Sequence, residues 1–433
     1  MKVRQLPRLK LNAARWRVGR RLPQIRSRLA LLRKKDSVKI NLLPEVVHPI
    51  IIVPGILGTW PPAPAPRGRL DPITRAYDNL LDALEHIGYV PGDSLFSFPY
   101  DWRRGIKDLA AELGAEIKRI RELGAQKSNT DSGVRIDYSK VDLLCHSMGG
   151  LVGRAYVQSD GYAGDVNRLV MAATPQKGAI AAYYFYEGGD STYIGIPIQG
   201  AQGMVLLVQA SEARPFYRRA RYIYKGVRRR DLPDLYSYTR SHLHSVSDFL
   251  PLASQDYLYR LNESGQEKLY PFGPAPGYPY NSFLEELHRP DSVARLDRLS
   301  EIYCLYSSSI PTLARLQVEQ PDHTYLYEHG QPVSPQPEAN LLPGDAIVTV
   351  PGARLELPDT KPDGQTWNVK VCNEDVSKTL GYRVSHIQLT GDPGPIRHLL
   401  RYFVRSDLPP IGPEIWDGPL LNSRRPNYTA LII

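Results

Sequence analysis

Residues 141–150, VDLLCHSMGG, constrain this chain more than any other stretch. An apolar run of strand character stops at His-Ser-Met-Gly-Gly. It then resumes as LVGRAYVQ (151–158), which reads as a helix. A strand, a sharp turn and a helix with serine at the corner is the setting of a nucleophile elbow. There the turn strains the serine backbone and lifts its hydroxyl above the sheet. Strand and helix approach closely at such a corner, so the residues two before and two after the serine must be small. Gly149 satisfies one position, and Cys145 stands at the other, where glycine is usual. The plain alternative is a serine in an ordinary strand-to-helix loop.

The surrounding pattern favours the elbow. HPIIIVPGI (48–56) reads as a buried strand running into a Pro-Gly turn. Over 104–123, Ile106, Leu109, Leu113, Ile117, Ile120 and Leu123 fall on one helical face, with Gly124 as its stop. Strands are predicted over 135–145, 166–174 and 302–309, and a late amphipathic helix over 395–404. Alternating strands and helices predict an α/β fold: a mostly parallel sheet with helices on both faces. Ligands of such sheets sit beyond the carboxyl ends of the strands. The rhythm lapses between about 176 and 298, and 14 of the chain's 27 tyrosines lie in 183–280. Following directly on the strand after the serine, this segment is predicted to be a cap or lid. The organisation expected is a basic extension (1–47), a first core segment (48–175), the Tyr-rich cap (176–298), a second core segment (299–405) and a tail (406–433).

A serine at its ordinary pKa is a poor nucleophile and needs a base oriented by an acid. In elbow folds the chain order is serine, acid, histidine. Among ten histidines, His386 in RVSHIQL stands before the final helix, where the base belongs. His146 adjoins the serine but is expected to point away along the turn. His398 falls within the final helix and reads as structural. His242 and His244 alternate as zinc ligands do but lack a third ligand, so no metal or organic cofactor is expected. The acid should follow a strand between Ser147 and His386. Asp345 in PGDAIVTVP fits, with Asp359, Asp363, Glu374 and Asp375 as rivals. For the developing oxyanion, one backbone N–H is expected from Met148 and a second from Ile56 in the turn VPGILG. One such donor is worth about 3–4 kcal/mol.

Net charge is +9, yet residues 1–35 hold 13 of the 54 Lys and Arg and no Asp or Glu. The remainder is slightly acidic, 41 basic against 45 acidic groups, so no nucleic-acid partner is expected of it. Val18, Leu22, Ile25, Leu29 and Leu32 make one helical face within the arginine-rich stretch 8–35. That stretch is therefore a candidate membrane contact, with a helix docked on or dangling from the main domain as the plainer reading and an organelle-targeting or nucleic-acid arm as the third. Three cysteines, no apolar stretch of spanning length and no secretory signal pattern predict a cytoplasmic chain, with membrane association through the arm as the addition.

Six stretches together resemble a known family: PIIIVPGILGT, FPYDWRR (98–104), VDLLCHSMGGLVGRAYV, VNRLVMAATPQKGA (166–179), GDAIVTVP (344–351) and the late His386. The family is the lecithin:cholesterol acyltransferase-like α/β-hydrolases, which include phospholipases and phospholipid:diacylglycerol acyltransferases. The resemblance implies an α/β-hydrolase fold and a Ser147–Asp345–His386 triad, with Ile56 and Met148 as oxyanion donors. It implies also that Tyr100, Asp101 and Trp102 help build the pocket wall. Two departures stand out. The family's Gly-Asp-Gly-Thr-Val around the acid is Gly-Asp-Ala-Ile-Val here, and its cysteine-closed lid loop is replaced by WPPAPAPRGRLDP (60–72). The expected activity is acyl transfer from lipid esters to water or to an alcohol. A carboxylesterase of small esters and a non-catalytic binding protein of the same fold are the alternatives.

Overall fold

Parity along the apolar strands decides the architecture. The computed structural model describes residues 42–404 apart from 61–63, 65–67, 72–74, 126–133, 189–234, 272–280 and 321–325. The basic stretch 8–35, the tail 406–433 and a large part of the Tyr-rich segment lie outside the described residues. Six strands form the main sheet: β1 (Ile50–Val53), β2 (Leu95–Ser97), β3 (Val141–His146), β4 (Val166–Ala172), β5 (Glu301–Tyr306) and β6 (Lys370–Asp375). All neighbours pair in parallel, in the order β6-β5-β4-β3-β1-β2. Successive strand side chains point to opposite faces. Ile51, Val53, Leu143, Cys145, Leu169 and Met171 therefore enter one buried cluster, while Ile50, Ile52, Leu144, Val170 and Ala172 enter another.

Helices cover both faces. On the first lie α2 (Ile106–Ala125) and α3 (Met148–Gln158); on the second lie α1 (Asp78–Ile87) and α4 (Pro393–Leu400). The predicted face of α2 is buried from Ile106 to Ile120, and only Leu123 reaches the surface. The Ile106 N–H that opens α2 is taken by Asp248 Oδ2 at 2.7 Å. Burial of that carboxyl raises its pKa to about 6. Helix α1 ends at Gly88, whose φ of +118° is a left-handed cap that a side chain would strain.

Three local expectations change. Residues 135–145 are two strands, not one: Arg135–Ile136 pairs elsewhere, and a turn separates it from β3. Gly124 lies inside α2 rather than ending it; a Cβ there would stand 1.9 Å from the Tyr138 ring, so glycine is required by packing. Strand β2 was not foreseen. Within 235–298, Leu243, Val246, Phe249, Leu250, Leu252 and Leu258 join the first-face core around α2 and α3. That stretch carries helices Leu235–His242 and Ser282–Leu287 and a hairpin of Leu258–Leu261 with Glu267–Leu269. Among the described residues no helix is long and apolar enough to cross a membrane.

Candidate active site

Strand β3 ends at His146, and α3 begins at Met148. Ser147 between them holds φ 52° and ψ −124°, a region that non-glycine residues rarely occupy. Packing holds it there. A Cβ on Gly149 would stand 2.3 Å from the Val53 carbonyl oxygen and 2.5 Å from that of Pro54, so the helix start lies directly on the end of β1. Cys145 is accommodated from the helix side: its Sγ fills the place of a Gly153 side chain, 2.9 Å from where that Cβ would be. The small residue that the strand lacks is supplied two turns into the elbow.

The Ser147 Oγ lies 2.8 Å from His386 Nε2, and His386 Nδ1 lies 2.9 Å from Asp345 Oδ2. A carboxylate only accepts, so Nδ1 carries the proton and Nε2 accepts from the serine hydroxyl. Asp345 is 1% exposed and follows a strand, Leu341–Gly344. Its Oδ1 accepts the N–H groups of Ile347 (3.0 Å) and Val348 (2.7 Å), and its main-chain oxygen accepts the His386 N–H at 3.0 Å. Asp345 and His386 are thus joined through both side chain and main chain. The rivals are engaged elsewhere. Glu374 on β6 binds His398, Arg401 and Tyr402, and Asp375 caps the helix Val376–Leu380. Asp359 and Asp363 are exposed.

The turn after β1 lies against the serine, since a Cβ on Gly55 would stand 3.0 Å from Ser147 Cβ. Its Gly55 N–H is occupied by the Tyr77 hydroxyl at 2.9 Å. Ile56 follows on that turn, and Met148 is the first residue of α3, whose N–H has no acceptor within its own helix. Tyr100 and Trp102 are fully buried and brace the same turn. The Tyr100 hydroxyl donates to the Pro54 carbonyl, its N–H donates to Thr59 Oγ1 at 3.2 Å, and Trp102 Nε1 donates to the Thr59 carbonyl at 3.0 Å. Asp101 is paired bidentately with Arg103 at 2.7 and 2.6 Å. Trp102 also packs edge-on against Trp60, with ring centroids 5.8 Å apart, and its carbonyl accepts from Ser245 Oγ at 2.5 Å.

One residue near the serine, Tyr77, was missed, and His146 makes contacts that its expected direction did not suggest. His146 does not simply point away: it is 5% exposed and hydrogen-bonds to Tyr77 Oη at 2.8 Å and to the His386 carbonyl at 3.1 Å. Tyr77 carries no local sequence signal, because both of its partners here are distant in the chain. Among the described residues no group of three or more His, Cys, Asp or Glu is placed to hold a metal ion.

The family model described as lecithin:cholesterol acyltransferase matches residues 68–211. That is about a third of the chain; it includes Ser147 and the FPYDWRR stretch but neither Asp345 nor His386. Comparison with curated proteins finds no match. Among solved structures, the mature form of a Bacillus licheniformis lipase is similar at 12% identity, over 85% of this chain and 94% of that one, with a TM-score of 0.39. EstA from Clostridium botulinum is similar at 13% identity over 86% and 88%, TM-score 0.30. Phospholipase PlaB from Legionella pneumophila is similar at 16% identity over 33% and 28%, TM-score 0.23. The chain thus sets a strained serine corner on six parallel strands covered by helices on both faces, an α/β fold whose residues 68–211 match the lecithin:cholesterol acyltransferase family model.

Proposed function

We propose that the chain is a serine-dependent acyl-transfer enzyme acting on lipid esters, with Ser147 as nucleophile, His386 as base and Asp345 as the orienting acid. The observation that carries this reading is the unbroken hydrogen-bonded run from the serine hydroxyl through the imidazole to a buried carboxylate. The Ser147 oxygen attacks the acyl carbonyl while its proton passes to His386 Nε2. The imidazolium so formed is stabilised by Asp345, whose charge is held by two main-chain N–H groups. The carbonyl oxygen becomes an oxyanion in front of the Ile56 and Met148 N–H groups. His386 then returns the proton to the leaving alkoxide, and an acyl-serine remains. Water or an alcohol, deprotonated by the same imidazole, attacks that ester and releases Ser147. The lipid assignment of the acyl donor is supported by the family match.

The decisive assay incubates wild type and Ser147→Ala with mixed phospholipids plus a sterol or diacylglycerol and reads the products by mass. Free fatty acid marks hydrolysis and a new acyl ester marks transfer. Both are expected to vanish in the variant, a loss of about 10⁴–10⁶ in turnover. Turnover of short soluble esters alone, with no lipid product, would replace this reading with a carboxylesterase. Product formation by Ser147→Ala would end it.

A further inference from the structure

One hydrogen-bond chain touches all three parts of the candidate site. The Gly55 N–H of the turn after β1 donates to Tyr77 Oη at 2.9 Å. Tyr77 Oη lies 2.8 Å from His146 Nδ1, and His146 Nε2 lies 3.1 Å from the His386 carbonyl oxygen. Donor roles follow from chemistry. A carbonyl oxygen cannot donate, so His146 Nε2 carries the proton. In a neutral imidazole Nδ1 is then the acceptor, and the Tyr77 O–H must donate to it. The Tyr77 oxygen is left to accept from Gly55. Every donor in the run meets an acceptor, and only one direction satisfies all of them.

Burial fixes that direction against protonation. It lowers the pKa of His146 to about 3, with His386 as a secondary cause, and raises that of the Tyr77 hydroxyl well above its ordinary value. Neither group changes state at neutral pH.

We propose that His146 and Tyr77 are positioning residues: they lock the oxyanion-side turn, the serine strand and the loop carrying the base into one register. The inference rests on the reading of Ser147, His386 and Asp345 given above. His146 belongs to β3 and immediately precedes Ser147, so its ring is fixed to the nucleophile's own strand. At one end it holds His386 by the main chain, whose N–H is held by Asp345. The base is therefore gripped at N–H, at carbonyl and at both ring nitrogens. At the other end Tyr77 consumes the Gly55 N–H, which orients the turn on which Ile56 is the next residue. A displacement of about 1 Å in either half is enough to cost about 10²-fold in rate.

Groups positioned in this way act chiefly in the transition state, so their loss should fall on kcat and spare KM. The test compares Tyr77→Phe, His146→Leu and His146→Gln with wild type and Ser147→Ala on a p-nitrophenyl ester. Turnover is normalised to the sites that a fluorophosphonate labels at completion, which removes any effect of partial unfolding. The expected result is a kcat per labelled site lowered about 10–100-fold in Tyr77→Phe and His146→Leu, with KM within about twofold. His146→Gln, whose amide N–H can reach the same His386 carbonyl, should recover part of the loss. Wild-type kcat per labelled site in both Tyr77→Phe and His146→Leu, with Ser147→Ala inactive, would overturn the positioning role and leave the serine mechanism standing. Turnover by Ser147→Ala would instead remove the reading on which it rests.

Discussion

The Ser147 corner and the loops that bring Asp345 and His386 to it are built in opposite ways. The corner is one contiguous stretch, β3 to α3, held by close packing of its glycines: Gly149 on the carbonyls of Val53 and Pro54, Gly153 against the Cys145 sulfur. The loops carrying Asp345 and His386 come from 41 residues apart and are held by hydrogen bonds, three to the aspartate side chain and one between main chains. Close packing admits no added volume, whereas a hydrogen-bonded loop admits volume but depends on each donor and acceptor. Errors at the corner should therefore appear as lost stability, and errors in the loops as lost turnover.

Asp345→Asn is the strongest way to break this contrast. It removes a charge and offers the imidazole the wrong partner while keeping the side chain's shape. Turnover should fall by about 10²–10⁴ with little change in melting temperature, read by steady-state kinetics alongside a thermal melt. A large loss of stability would instead place the acid loop with the corner. Gly149→Ala is the reciprocal case. Its Cβ would press on main-chain oxygens that cannot swing aside, and the cost should be about 1–3 kcal/mol or more in a denaturant titration.

His146 belongs to the corner and touches the base loop, so its acid behaviour sharpens the comparison. Its folded pKa, about 3, lies below the ordinary 6.5. Between those values the unfolded chain binds a proton that the folded chain excludes. Stability should be fully present above pH 6.5 and fall as the pH drops toward 3, by about 1.4 kcal/mol per pH unit from this group. His146→Gln should flatten that limb in pH-dependent denaturant melts; an unchanged slope would mean that His146 is protonated while folded. The smallest effect concerns Ala346, next to the acid. It holds φ +84°, where the resembling family carries the glycine of Gly-Asp-Gly-Thr-Val. Ala346→Gly should raise stability by about 1 kcal/mol and leave kcat unchanged, measured by melt and by ester turnover. No gain would show that the loop stores no strain there.

The same contrast explains what the sequence could disclose. The corner was legible because its requirements are local: an apolar run, a serine, small residues and an apolar helix within eighteen positions. His386 was legible from its place before α4. Asp345 was chosen from among rivals only by chain order and position, because its distinguishing contact is to a histidine 41 residues on. Strand β6, KVCNED, is a half-exposed edge that offers little apolar alternation to read. Its acidic end supplied two rivals for the acid. Tyr77 had no signal at all: its hydroxyl meets groups 22 and 69 residues away. Gly124 was misread because a glycine near a helix end has two explanations, and the one that applies is a tyrosine ring supplied from outside the helix.

Leu243, Val246, Phe249, Leu250, Leu252 and Leu258 all lie in the core shared with α2 and α3. At about 1.5–3 kcal/mol for each such side chain, swinging them outward would cost roughly 10–20 kcal/mol. That matches or exceeds the free energy holding an ordinary domain together, about 5–15 kcal/mol. A hinge at this place would be a melting transition rather than a door.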